Sequence, residues 1–254
     1  MSQNRCNYHP FPMQRNKASI APMAKKIQAI SWLLFQLIAF PTAALSEEAV
    51  SISDGLYGRA LLDKPSAPRA SVILVPGGDG VMGITPDGSF SRLRGNQLVR
   101  TRQAYVARDI ATLTIDRDAD IAAAIAYMRK IAVPVVLVGT SNGTRRIASA
   151  IARGARPDAA VLTSGLLQTV QYTVGSPERL PRTLVVHHRN DQCRGTPPYA
   201  VEPFKQWGGS KVTVVWLEGG PGGEPVCEAR SYHGFQGIDG QVVSAVARFA
   251  LPAP

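Results

Sequence analysis

Val135-Val136-Leu137-Val138-Gly139-Thr140-Ser141-Asn142-Gly143 is the stretch from which the rest of this chain is read. Four consecutive branched apolar residues make a strand buried on both faces. From Asn142 the spacing becomes helical and runs to about residue 153, where Gly154 supplies a C-terminal stop. The Gly-x-Ser-x-Gly pattern at the junction places Ser141 on a sharp strand-to-helix turn. Glycines on either side remove the Cβ atoms that would crowd such a turn, so the serine hydroxyl projects from the sheet edge.

Outward from this turn, short β-branched runs alternate with helical patterns, which predicts βαβ units and a mostly parallel sheet with helices on both faces. Strands are expected at 72–75, 110–115, 133–138, 159–163, 183–187 and 211–217, and helices at 96–108, 116–130, 142–153 and 240–249. The helix at 116–130 carries Ile121, Ala124, Ile125 and Met128 on one face. Residues 50–62 are expected to add antiparallel edge strands. The segment 166–181 is the one excursion with the length of a small lid. No repeat or linker divides residues 45–254, which are read as a single domain.

The chain resembles the α/β-hydrolases, and more narrowly small bacterial members without a large cap domain, of the dienelactone-hydrolase-like kind. The likeness spans about residues 70–250. It implies an α/β-hydrolase fold and a nucleophile, an acid and a histidine in that chain order. Ser141 matches the nucleophile, Asp191 in Arg189-Asn190-Asp191-Gln192-Cys193 the acid, and His233 in Tyr232-His233-Gly234-Phe235 the base. Dienelactone hydrolases proper use a cysteine nucleophile where this chain has Ser141, so their substrate does not carry over.

The residues themselves point the same way. Downstream of residue 45 there are only three histidines. His187 and His188 end a strand, as core residues do, with His188 a possible pocket wall, whereas His233 lies in a glycine-containing loop shortly before a helix. Asp116, Asp118 and Glu218 compete with Asp191 for the acid role. The first two read as acids at the start of the 116–130 helix, where they favour the macrodipole. The oxyanion hole is assigned to the backbone N–H of Asn142 and to that of Gly78 or Asp79 in the loop after residue 75. Arg145 and Arg146 read as a solvated helix face, and the 219–223 glycines as a turn. No spacing of His, Cys or carboxylates suggests a metal, and the chemistry requires no cofactor. The expected activity is hydrolysis of a carboxylic ester or related acyl bond in a small-molecule substrate. A peptidase or acyltransferase using the same residues, and a non-catalytic binding protein, are the alternatives.

Composition limits the remaining classes. With 254 residues, 45% apolar and 18% charged, the chain is neither disordered nor fibrous. Its formal charge of +10 drops to +5 once Arg5, Arg15, Lys17, Lys25 and Lys26 are set aside, since residues 1–45 contain no acid. No basic run exceeds two residues, so no nucleic-acid surface is expected. Lys25 and Lys26, the apolar run 27–40 and Pro41-Thr42-Ala43-Ala44 have the order of a signal peptide, with 23–44 as the signal and 1–22 as a leader or non-native extension. The run is too short to span a bilayer, so contact with a membrane is expected only during export to the periplasm or medium, with a retained membrane anchor as the alternative. Cys6 would then be lost, leaving Cys193 and Cys227 as a pair in an oxidising compartment.

Overall fold

A computed structural model describes residues 47–252, which lie within one compact unit; the leader, the signal segment and Cys6 fall outside the described residues. Eight strands form one sheet: β1 (Glu48–Ser51), β2 (Arg59–Asp63), β3 (Ala70–Val75), β4 (Ile110–Ile115), β5 (Val135–Thr140), β6 (Ala159–Thr163), β7 (Arg182–His188) and β8 (Val212–Leu217), in the order β1-β2-β4-β3-β5-β6-β7-β8. β1 and β2 are antiparallel and β3 to β8 run parallel. The edge strands, the 110–115 strand and the 159–163 strand match the sequence-based expectation.

Among the described residues the α-helices are α1 (Gln97–Val106), α2 (Ile121–Arg129), α3 (Asn142–Ala152), α4 (Leu167–Val174), α5 (Val201–Gly208) and α6 (Asp239–Ala250). Strand alternation sorts the core into two layers. Val72, Leu74, Val136 and Val138 face a cluster containing α1 and α6, and Ile73, Val75, Val135 and Leu137 face a cluster containing α2 to α5. Helix α1 is capped by Asn96, whose side chain accepts from Leu98 N at 3.1 Å.

Two expectations need correction, and one further helix is added. The helix read as 116–130 begins at Ile121, with Asp120 as its N-cap, because the preceding residues stay extended: Asp116 N donates to Arg59 O (3.0 Å) and Asp118 N to Tyr57 O (2.9 Å). Asp116 and Asp118 are therefore not first-turn residues. The segment 166–181 is not a lid; its helix α4 buries Leu167, Val170 and Val174 in the core as the crossover from β6 to β7. Helix α5 has no counterpart among the helices expected from the sequence, and Pro203 lies in its first turn. Proline is harmless there because the first-turn N–H it lacks has no intrahelical acceptor.

This topology creates the site. Strand β3 lies between β4 and β5, so the connections after β3 and β5 leave the sheet in opposite directions. The crevice at that reversal, beyond the carboxyl ends of the strands, is where ligands bind in open α/β sheets. The last rung of β3 and β5 pairs Val75 with Gly139, two residues before Ser141.

Candidate active site

Ser141 adopts φ 51° and ψ −123°, a conformation that costs a non-glycine residue about 1–3 kcal/mol. Surrounding bonds hold it there: its N–H donates to Thr163 O at 3.0 Å, and its carbonyl accepts from Thr144 N (3.0 Å) and Thr144 Oγ1 (2.6 Å). The flanking glycines are required sterically. A methyl group on Gly143 would lie 2.0 Å from Val75 O, and one on Gly139 would lie 2.7 Å from Ile147 Cδ1. The close approach of α3 to β3 thus depends on the motif's own residues.

Ser141 opens into a cavity of about 540 Å³ whose walls also include Gly78, Asn142 and His233. Asn142 is the first residue of α3, so its N–H has no intrahelical acceptor, and its Nδ2 ties the turn to Gly78 O at 2.7 Å. Of the two candidates in the loop after β3, Gly78 borders the cavity and Asp79 is not among its lining residues. The Asp79 carboxylate accepts from Val81 N (3.0 Å) and pairs with Arg92 (2.6 Å). A second cavity of about 450 Å³, lined by Arg117, Arg145, Arg146 and Arg153, contains none of these candidates.

His233 and Asp191 are both 5% exposed and meet through a 3.0 Å hydrogen bond from His233 Nδ1 to Asp191 Oδ2. With Nδ1 engaged, Nε2 is the ring atom left for the cavity. Asp191 Oδ1 accepts from Cys193 N at 2.9 Å. Two residues escaped the sequence reading. Thr196 places Oγ1 3.0 Å from both Asp191 Oδ2 and His233 Nδ1, and Ser164, at φ 41° after β6, donates its hydroxyl to His233 O at 2.8 Å. A lone Thr and a lone Ser carry no motif. Only the placement of Ser164 at a strand's carboxyl end gave any signal.

The competing residues are placed elsewhere. His187 is fully buried, its Nε2 bonded to Thr196 O at 3.0 Å, and burial pushes its imidazole below the ordinary pKa against the pull of Asp191. His188 is not a cavity wall: it stacks on Tyr232 and bonds Gly219 O at 2.9 Å. Glu218 pairs with Arg189 at the surface. Arg145 is exposed, as expected, whereas Arg146 is half-buried and its guanidinium donates to Asp116 O and Arg117 O.

A disulfide joins Cys193 to Cys227, as expected from the sequence, across a sequence separation of 34. It couples the loop of Asp191 to the loop that carries His233, and Cys227 itself lines the cavity. Chain entropy for such a loop gives about 4 kcal/mol of stabilisation at most. Untethered loops would hold the 3.0 Å bond for only part of the time. Cys227→Ser is therefore expected to lower turnover several-fold at temperatures where circular dichroism still reports a folded protein. Unchanged turnover would show that the bridge serves stability alone.

No family model matches the chain, and no curated protein matches it by sequence. Solved structures do match. A dienelactone hydrolase from Anabaena variabilis ATCC 29413 superposes with a TM-score of 0.57 at 15% identity, covering 82% of this chain and 99% of that one. A serine hydrolase without a lid from Xanthomonas campestris gives 0.53 at 18%, covering 85% and 98%. Carboxyl esterase 2 from Tuber melanosporum gives 0.52 at 16%, covering 86% and 90%. This chain has the α/β-hydrolase fold. Among the described residues no cap domain covers the sheet, and the 166–181 connection packs on it through Leu167, Val170 and Val174.

Proposed function

We propose that the chain is a serine hydrolase that cleaves a carboxylic ester or related acyl bond through a covalent acyl-enzyme. One observation carries this reading: a serine held in a strained strand-to-helix turn shares a cavity with a histidine whose far nitrogen is bonded to a buried carboxylate. Strain of that kind persists where function needs it. In the proposed reaction Ser141 Oγ adds to the substrate carbonyl while His233 Nε2 takes its proton. The backbone N–H of Asn142 and of the Gly78 region stabilise the oxyanion. Collapse expels the alcohol, which receives the proton from His233, and water then repeats the sequence to release the acid. A peptidase or acyltransferase would use the same groups and differ in leaving group or acceptor, so product analysis distinguishes them. We place the protein in the periplasm or medium, on the basis of the 23–44 segment and the disulfide.

With no inserted cap to extend the cavity, short or compact acyl groups are favoured. No residue of the α4 segment reaches it, and Arg94, Gln97 and Glu228 line it beside Leu93 and Ala229. With p-nitrophenyl esters of increasing chain length, kcat/KM is expected to peak between acetyl and butyryl and to fall beyond hexanoyl. A steady rise to long chains would overturn the compact-substrate reading, and no turnover of any ester would overturn the esterase reading.

A further inference from the structure

We propose that Asp116 is a positioning residue of the oxyanion loop, a buried carboxylate that holds residues 76–84 in register with Ser141. The inference rests on the hydrolase reading for its kinetic consequence, and on geometry alone for the clamp.

Asp116 follows β4, is 0% exposed, and accepts four backbone N–H groups: Met82 (2.8 Å) and Arg117 (2.8 Å) on Oδ1, and Gly83 (2.9 Å) and Ile84 (3.0 Å) on Oδ2. Three successive amides turned onto one carboxylate form an anion-binding nest, with the anion supplied by the protein itself. The nest is the far end of the loop whose near end, Gly77 and Gly78, borders the cavity. Gly78, Gly80 and Gly83 all adopt positive φ, at 64°, 75° and 70°. A segment with three such glycines has little stiffness of its own, so an external anchor must fix it.

The anchor is itself tied to the nucleophile helix. Arg146, five residues after Ser141, donates from Nη2 to Asp116 O (3.0 Å) and Arg117 O (2.8 Å), and a methyl group on Gly80 would lie 3.2 Å from its Nη1. On the other side Met82 O accepts from Ser91 N (3.3 Å) and Arg92 N (3.1 Å), leading into the 93–97 wall of the cavity. Nothing in the hydrolytic steps uses Asp116 as acid or base. Its fourfold acceptance instead explains a charged residue in the core beside the site.

Asp116→Asn keeps the size but replaces one acceptor oxygen with a donor, which must face two N–H groups. The test measures hydrogen exchange by mass spectrometry and p-nitrophenyl acetate kinetics, with active sites titrated by a fluorophosphonate so that unfolded material is not counted. Exchange in peptides covering 76–84 is expected to rise while β5 and β6 stay protected. Per titrated site, kcat should fall about 10- to 100-fold with KM changed by less than about threefold, as a displaced oxyanion donor would produce. A merely structural role would lower the titrated fraction and leave per-site kcat alone, which would overturn the proposal, as would unchanged exchange at 76–84. If Asp116→Asn does not fold, Arg146→Gln takes its place, with the same pattern expected at about 3- to 10-fold in kcat. Should the unaltered enzyme take no label, the hydrolase reading fails, and exchange alone decides whether the clamp exists.

Discussion

Ser141→Ala is expected to abolish covalent labelling by a fluorophosphonate and to lower ester turnover by about four orders of magnitude or more. The size follows from the proposed role. Without Oγ no acyl-enzyme forms, and the residual rate is that of water attacking a carbonyl bound near the oxyanion donors. The fold should survive, because the bonds holding residue 141 are made by its backbone N–H and carbonyl to Thr163 and Thr144. Relief of crowding at a positive-φ position is not part of the change, since Ala keeps the Cβ. His233→Ala should be nearly as severe. His187→Ala and His188→Ala should be much milder, as both rings are buried against backbone carbonyls and neither borders the cavity. Undiminished labelling of Ser141→Ala would move the nucleophile elsewhere. A His187→Ala or His188→Ala variant as inactive as His233→Ala would reassign the base.

The sequence was most legible where one physical signal dominated. The run 135–138 reads as a buried strand because nothing polar interrupts it, and the glycines around Ser141 read as a turn because no other residue fits there: Gly143 sits where a Cβ would strike Val75 O at 2.0 Å. His233 is singled out by elimination among few histidines, and the structure bonds its Nδ1 to Asp191. What stayed hidden was decided by partners distant in the chain. Asp116 and Asp118 looked like helix-start acids, since proximity to an apolar 3.6-residue pattern is all a sequence displays. Their backbone is in fact claimed by Arg59 and Tyr57, more than fifty residues earlier. Thr196 and Ser164 meet His233 only once three separate strands have brought their loops to one edge. Helix α4 looked like a possible lid because a short amphipathic helix gives no sign of which surface it covers. The packing of Leu167, Val170 and Val174 on the sheet supplies that answer.

Asp191→Asn should lower kcat about 10⁴-fold while leaving the protein folded, and the reason lies in which amide atom goes where. Oδ1 of Asp191 accepts from Cys193 N, and that buried N–H requires an acceptor, so the amide oxygen of the asparagine takes the Oδ1 position. The amide NH₂ is then left at the Oδ2 position, 3.0 Å from His233 Nδ1, where it can only donate. A donor facing Nδ1 forces the ring proton onto Nε2, the atom that in the proposed reaction must be bare to accept the proton of Ser141. Thr196 cannot rescue the tautomer, because its hydroxyl, 3.0 Å from the same two atoms, would turn to accept from the new NH₂. Thr196→Val removes that hydroxyl without placing a donor against Nδ1, so its loss should stay within about tenfold. Nitrogen-15 spectra of the histidine rings would show the exchanged tautomer directly in Asp191→Asn. A variant retaining more than a tenth of the original kcat, with the proton still on Nδ1, would mean that another group orients His233.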